Sequence, residues 1–191
     1  MIGLFLGDTD FSKIVLKKIK KLKKKHFIID FSTKNDFAKE KNSYRISIGK
    51  FGKIIDLIKQ QKSNKVLFAG KIAKPKFSTL RLDLKGIYYM PSIIKAAKLG
   101  DAAIIKVIIE ILKNEKIDVI SSIHFNPELT GKKGLHTKIK PSRADIKSIN
   151  QGIKYLAETN SYDHIQALVV RDNKIIACLL YTSDAADDLL C

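Results

Sequence analysis

Short apolar runs alternate along the chain with longer segments in which apolar residues recur every three or four positions. The first run, Ile2–Leu6, ends at Gly7 and has the length of a buried strand. It leads into Ser12–Lys25, where Ile14, Val15, Ile19 and Leu22 fall at helical spacing and Ser12 is available as the N-cap. Phe27–Phe31 predicts a second strand and Arg45–Ile48 a short third. Gly49-Lys50-Phe51-Gly52 turns the chain into a helix carrying Ile54, Ile55, Leu57 and Ile58 to about Gln61. Val66–Ala69 then reads as a buried strand ending at Gly70. Pro91-Ser92 predicts the start of a helix that runs to Lys98, and Gly100-Asp101 ends it and opens another with Ile104, Ile105, Ile108, Ile109 and Leu112. Ile117–Ser121 predicts a further strand. The polar segment Asn126–Ser142 separates all of this from a helix over Arg143–Glu158 and two strand-like runs, Ile165–Val170 and Lys174–Ala177.

Strands alternating with amphipathic helices predict an α/β fold, a parallel sheet covered on both faces. The two last runs read as the opening of a second domain that is not completed. No internal repeat is present. No apolar run approaches the roughly 20 residues needed to cross a bilayer. Met1–Gly7 lacks the basic start and small-residue cleavage site of a signal peptide, so the expected location is cytoplasmic.

Charge changes this picture less than its size suggests. The net charge is +17, but the only arginines are Arg45, Arg81, Arg143 and Arg171, and lysine is spread along the whole chain. Recognition of nucleic acid favours the bidentate fork of arginine and interleaved aromatics, and neither pattern is present. The densest run, Lys17–Lys25, lies on a predicted helix and has three readings: a solvated face, a surface for anionic lipid headgroups, or a nucleic-acid contact. Composition shifts at Cys178. From there to Cys191 the chain has no lysine or arginine, three aspartates and both of its cysteines. Without those three acids, residues 1–177 hold 36 bases against 16 acids, a charge of +20. Segment 178–191 therefore reads as foreign to the rest and resembles translated sequencing adapter; the other reading is a native acidic helix. Its cysteine pair, with no histidine nearby, is given no chemistry.

Ligands of open parallel sheets bind beyond the carboxyl ends of the strands. That rule selects three loops: Gly7-Asp8-Thr9-Asp10-Phe11, Gly49–Gly52 and Gly70–Ser78. The first precedes a helix N-terminus, which favours phosphate, yet it has neither a three-glycine dinucleotide fingerprint nor a Walker lysine. Its two aspartates would repel phosphate unless a divalent cation lay between them; equally, Asp8 or Asp10 could simply cap the helix. Gly70-Lys71 with Pro75 and Phe77 combines a turn, a cation and an aromatic ring, fitting either a charged headgroup on apolar material or an ordinary turn. Gly100-Asp101 fits a metal or sugar site and a helix–helix joint equally well. His124 and His136 have no metal-ligand spacing and read as structural, and no nucleophile elbow is present.

Five segments in register carry a family resemblance. Gly49-Lys50-Phe51-Gly52-Lys53-Ile54, Phe68-Ala69-Gly70-Lys71 through Pro75-Lys76-Phe77-Ser78, Asp83-Leu84-Lys85-Gly86, Pro91-Ser92 and Gly100-Asp101-Ala102 together resemble the UDP-2,3-diacylglucosamine pyrophosphatases of lipid A synthesis in certain Gram-negative bacteria. The match runs from Met1 to about Ala177; the family's first loop is glycine-rich where this chain has Asp8, Thr9 and Asp10. The resemblance implies a Rossmann-like N-terminal domain over residues 1–126, followed over 127–177 by the incomplete start of an α/β catalytic domain. It implies Mg²⁺ as cofactor and a UDP-linked diacylglucosamine lipid as substrate, bound between the domains, with contact at the inner face of the inner membrane and none with nucleic acid. Asp10, Phe11, Gly70, Lys71, Ser92, Gly100 and Asp101 would line the nucleotide and phosphate side, and Gln166 would approach from the second domain. The family's catalytic aspartate belongs to an Arg-x-Asp-x-Pro segment, preceded by a Gly-Thr-Asp motif. Neither occurs in this sequence and Asp184 is no substitute, so the expected catalytic residue is absent and the chain by itself is expected to be inactive. The alternative function is a non-catalytic nucleotide-binding domain. A nucleic-acid binder is the third, and would show binding that falls steeply with salt.

Overall fold

A computed structural model describes residues 1–73, 75, 77–131, 134–158 and 165–180. Segment 181–191, Lys74, Lys76 and the Gln166 side chain lie outside the described residues. The chain forms two compact units, Met1–Lys95 with Lys106–Gly131, and Ala96–Ile105 with Lys132–Cys191.

The first unit is built on five parallel strands: β1 (Ile2–Leu6), β2 (His26–Asp30), β3 (Ser43–Tyr44), β4 (Lys65–Ala69) and β5 (Asp118–Ile120), in spatial order β3-β2-β1-β4-β5. This is the α/β, Rossmann-like arrangement. β1 is central, with Leu4 opposite Ile28 on one side and Leu67 on the other. Alternate side chains of the strands feed two cores. Leu4, Leu6, Ile28 and Leu67 meet Val15, Leu16 and Ile19 of helix α1 (Asp10–Lys21) on one face. Phe5, Phe27, Ile29 and Val66 meet Ile54, Ile55 and Ile58 of α2 (Phe51–Gln60) and Leu112 of α4 (Asp101–Asn114) on the other.

Three elements differ most from the sequence reading. Helix α1 runs over Asp10–Lys21 rather than Ser12–Lys25, with Lys23 just beyond it at φ +52, and its N-cap residue Thr9 makes no side-chain cap bond. Ser12 lies in the first turn, fully buried, with its hydroxyl aimed back at the strand ends. The third strand is Ser43–Tyr44, pairing with Ile28 and Ile29, and not Arg45–Ile48. Ile46 does pack into the core, so the alternation there reports a buried face without a ladder. Helix α3 runs over Leu84–Ala97 with Pro91 inside it, where the sequence placed Pro91 at the start. The start is instead set by Asp83, whose Oδ1 accepts the Gly86 N–H at 2.8 Å. The Gly100-Asp101 joint is as expected: Gly100 has φ +114 and Asp101 is the first residue of α4.

In the second unit, α5 (Arg143–Glu158) occupies its expected span. A capping box opens it: the Asp145 N–H donates to Ser142 Oγ at 3.2 Å, and the Ser142 N–H donates to Asp145 Oδ2 at 2.7 Å. Backbone and hydroxyl donation from Ser142 holds the Asp145 carboxyl below its ordinary value. The antiparallel hairpin β6 (Ile165–Arg171) and β7 (Lys174–Leu180) turns at Asp172-Asn173, both at positive φ. β7 thus reaches three residues past Ala177, and Cys178 within it is disulfide-bonded.

Candidate functional site

The chain adds strands to one side of β1 as far as β3 and then crosses to the other side for β4 and β5. The loops after β1 and β4 therefore leave the sheet at its topological switch point, where a crevice forms at the carboxyl ends. Here the two loops touch. The Gly7 N–H donates to Ala69 O at 2.9 Å, and Asp8 and Lys71 exchange backbone bonds, Asp8 N–H to Lys71 O at 2.7 Å and Lys71 N–H to Asp8 O at 2.9 Å. Beneath them Ser12 Oγ is 2.8 Å from Gly7 O and 2.9 Å from Ala69 O, so one buried hydroxyl ties the ends of both strands to α1.

So close an approach requires glycine. A Cβ on Gly7 would lie 2.2 Å from Lys71 O. On Gly70, whose φ is +84, it would lie 2.0 Å from Ser12 Oγ and 2.4 Å from Asp8 O. Gly70 is thus a joint of the crevice floor, and the motif Phe68-Ala69-Gly70-Lys71 is read by backbone geometry. Thr9 holds φ +93 at the mouth of α1, a conformation seldom occupied by residues with a Cβ.

The predicted residues are distributed as follows. Asp10 and Phe11 form the exposed first turn of α1, where the helix N-terminus carries partial positive charge. Asp10 pairs with Lys13 at 3.4 Å. Asp8 turns towards the loop after β2, its Oδ1 accepting from the Thr33 N–H at 2.9 Å and the Thr33 hydroxyl at 3.1 Å. Lys71 is exposed beside Asp8. The structure thereby brings together Asp10, Phe11, Gly70 and Lys71. Ser92 lies on the exposed side of α3 in the same unit, while Gly100, Asp101 and Gln166 belong to the second unit.

Two other places where a ligand might have bound are filled by the protein itself. Asp30, at the end of β2, occupies the position from which an acidic residue reads ribose in dinucleotide folds. It is buried, with Oδ1 accepting from the Ser32 N–H at 2.8 Å and the Ser32 hydroxyl at 2.6 Å, and Oδ2 from the Phe37 N–H at 3.2 Å. Gly49–Gly52 is filled by Asp83: Oδ2 accepts the Lys53 N–H at 3.0 Å in the first turn of α2, while Oδ1 caps α3. Burial raises the Asp83 carboxyl pKa, but backbone N–H bonds from Gly86, Lys53 and Gly52 outweigh it and hold the group below its ordinary value. A Cβ on Gly86 would lie 2.2 Å from Gly49 O and one on Gly52 2.9 Å from Asp83 Oδ2. The segments Gly49–Ile54 and Asp83–Gly86 are therefore two halves of one joint between helices. The roles of Asp83 and Ser12 were missed in the sequence; an aspartate just ahead of a helical apolar pattern was the available signal for the first, and none existed for the second.

Residues 1–129 match the family described as LpxI N-terminal domain. The chain belongs to this family. A curated relative, UDP-2,3-diacylglucosamine pyrophosphatase LpxI of Caulobacter vibrioides, is 28% identical over 132 residues, which are 69% of this chain and 47% of that protein. The chain thus spans about half the length of the curated relative it matches. The LpxI match covers the whole parallel sheet and the crevice at its switch point.

Among the described residues no three His, Cys, Asp or Glu side chains gather into a metal-binding group. The described side chains therefore offer no all-protein cage. Mg²⁺ rarely needs one, since it is commonly held by one or two carboxylates together with substrate phosphates. The β1 loop offers two carboxylates, Asp8, whose Oδ1 is held by Thr33, and the exposed Asp10, paired with Lys13.

Proposed function

We propose that this chain supplies the nucleotide-binding part of an enzyme that hydrolyses the pyrophosphate bond of UDP-2,3-diacylglucosamine, giving 2,3-diacylglucosamine 1-phosphate and UMP in lipid A synthesis. The observation that carries this reading is the switch-point crevice, with the α1 N-terminus and Lys71 beside it, in a chain of the LpxI family. Hydrolysis requires water to form a bond to one phosphorus while the bridging P–O bond breaks and the departing phosphate takes up the negative charge. Amides of the first turn of α1 and the Lys71 ammonium are suited to hold that charge. Mg²⁺, when bound, would neutralise phosphoryl oxygens from Asp8 and Asp10. The reaction would take place on the cytoplasmic side. Phe11, exposed next to Asp10, is suited to stack on the uracil ring.

The catalytic aspartate implied by the family resemblance is not in this sequence, so the 191-residue chain is expected to bind UMP and UDP without turning the lipid substrate over. Titration calorimetry with each nucleotide, alongside a turnover assay, tests both halves. Lys71→Ala should weaken UDP binding by roughly tenfold or more, the scale of a lost charge-assisted contact. Absence of any nucleotide binding would overturn the reading. Turnover above background by the purified chain would show that its own residues suffice for the chemistry.

A further inference from the structure

A helix on the surface of a globular protein normally turns a polar face outward, and one that is apolar all round is covered on every side. Over Leu84–Lys95, α3 breaks this rule. Its inner face is ordinary: Met90 and Ile93 are buried, and Tyr89 packs edge-on against Phe51 of α2 at 6.0 Å. Its outer face carries Leu84 at 86% exposure, Tyr88 at 77%, Ile87 at 59% and Ile94 at 40%. Positions 84, 87, 88, 91 and 94 recur at helical spacing, and Pro91 continues the apolar stripe through the middle. Because Pro91 has no N–H, the Ile87 carbonyl also loses its α-helical donor on that side.

The free charge of the segment itself has one sign; the acids on neighbouring helices, Glu115 and Asp56, lie by Lys85, with which Glu115 pairs. Arg81 and Lys95 are exposed at either end of it. The sole acid between positions 80 and 95 is Asp83, and both of its oxygens are committed to helix amides. An apolar stripe with an outward tyrosine, a cation at each end and no available acid of its own has the chemistry of a helix lying in the interfacial zone of an anionic membrane. A 14-residue helix is about 21 Å long at 1.5 Å per residue, so it can lie on a bilayer and not cross one. No described helix is long and apolar enough to cross.

We propose that the outer face of α3 docks this protein on an anionic lipid bilayer. The lysine-rich helix α1 is the obvious competitor, with Lys17, Lys21 and Ile14 exposed. It packs on the opposite face of the sheet from α2, beside which α3 lies, so a flat membrane that meets α3 does not also meet α1.

Co-sedimentation of the full 191-residue chain with substrate-free vesicles tests the assignment independently of hydrolysis. Vesicles of phosphatidylcholine mixed with phosphatidylglycerol should bind the chain, and phosphatidylcholine alone should bind it weakly. The double variant Ile87→Glu, Tyr88→Glu should lose at least about tenfold in partitioning, because it places two carboxylates in the stripe. Lys17→Glu, Lys21→Glu on α1 should lose no more than about two- to threefold, the effect of net charge alone. Both pairs are exposed, and an unchanged far-UV circular dichroism spectrum confirms folding; Ile87→Ser, Tyr88→Ser serves if the charged pair unfolds. Failure of the wild type to bind anionic vesicles overturns the proposal. So does a larger loss from the α1 variant than from the α3 variant, or a wild-type dimer dispersed by the α3 variant, which would make a second copy the occupant.

Discussion

Gly70 sits with the Ser12 hydroxyl directly where its Cβ would be, 2.0 Å away, and with the Asp8 carbonyl 2.4 Å from the same point. The side chain could turn aside, but the carbonyl is backbone and part of the Asp8–Lys71 bridge. Gly70→Ala therefore combines a left-handed conformation, costing about 1–2 kcal/mol, with displacement of a loop. A total loss of at least about 2 kcal/mol in urea unfolding is expected, together with weaker UDP binding, because the crevice floor moves. An unchanged midpoint would show that the two loops do not touch. Ser12→Ala should cost less, about 1–2 kcal/mol, since it leaves one hydroxyl's worth of buried carbonyl bonding unmade. These residues also mark what a sequence can tell. Gly7 and Gly70 stood out as strand-ending glycines, but Ser12 looked like an N-cap because capping is decided locally, while its two carbonyl partners come from strands that meet only in the folded sheet.

Helices α2 and α3 share a cap in Asp83, and this governs how their junction responds to acid. The folded carboxyl has a pKa below its ordinary 3.8, so the anion is the form the fold prefers. Its contribution is complete above 3.8 and is lost as pH falls through the lower folded value. Asp83→Asn keeps one acceptor and turns an NH₂ group towards the other amides. It should cost about 1–2 kcal/mol at neutral pH, the worth of a lost cap, with the difference from wild type shrinking as pH drops below 3.8. A pH-independent difference would remove the carboxylate from the account. About two turns further along the same helix Pro91 works the other way. Pro91→Ala restores a donor for the Ile87 carbonyl and should raise stability by about 1–3 kcal/mol in thermal unfolding. At this scale the sequence was legible wherever apolar periodicity was long, as in α2 and α5. It misled at Pro91, where local preference put a helix start and a cap eight residues earlier took precedence. It misled again at Arg45–Ile48, where an inward-facing Ile46 mimicked a strand.

For the molecule as a whole, the two cores that cover the sheet draw their buried side chains from positions no later than Phe125. The LpxI match ends at nearly the same place, at residue 129. Glu115 adds a tie on the outer layer, accepting from Lys59 of α2 at 2.6 Å and from Lys85 of α3. Hydrogen bonds from both lysines hold its carboxyl below the ordinary range. The loop beyond is different in kind: among the described residues, none but the chain neighbours lies within 4 Å of where a Cβ on Gly131 or Gly134 would be. Everything needed to bury the sheet is thus in place before that loop. A fragment of residues 1–131 is expected to fold by itself, with a single sigmoidal urea transition and a slope of about 1–3 kcal/mol per molar, as a small two-state domain shows. It should bind UDP within about threefold of the 191-residue chain if the crevice between the β1 and β4 loops supplies most of the affinity. A fragment that folds but binds tenfold more weakly would move the decisive contacts to Gln166 or its neighbours in the second unit. A fragment with no cooperative transition would mean that the sheet depends on chain beyond residue 131 for its stability.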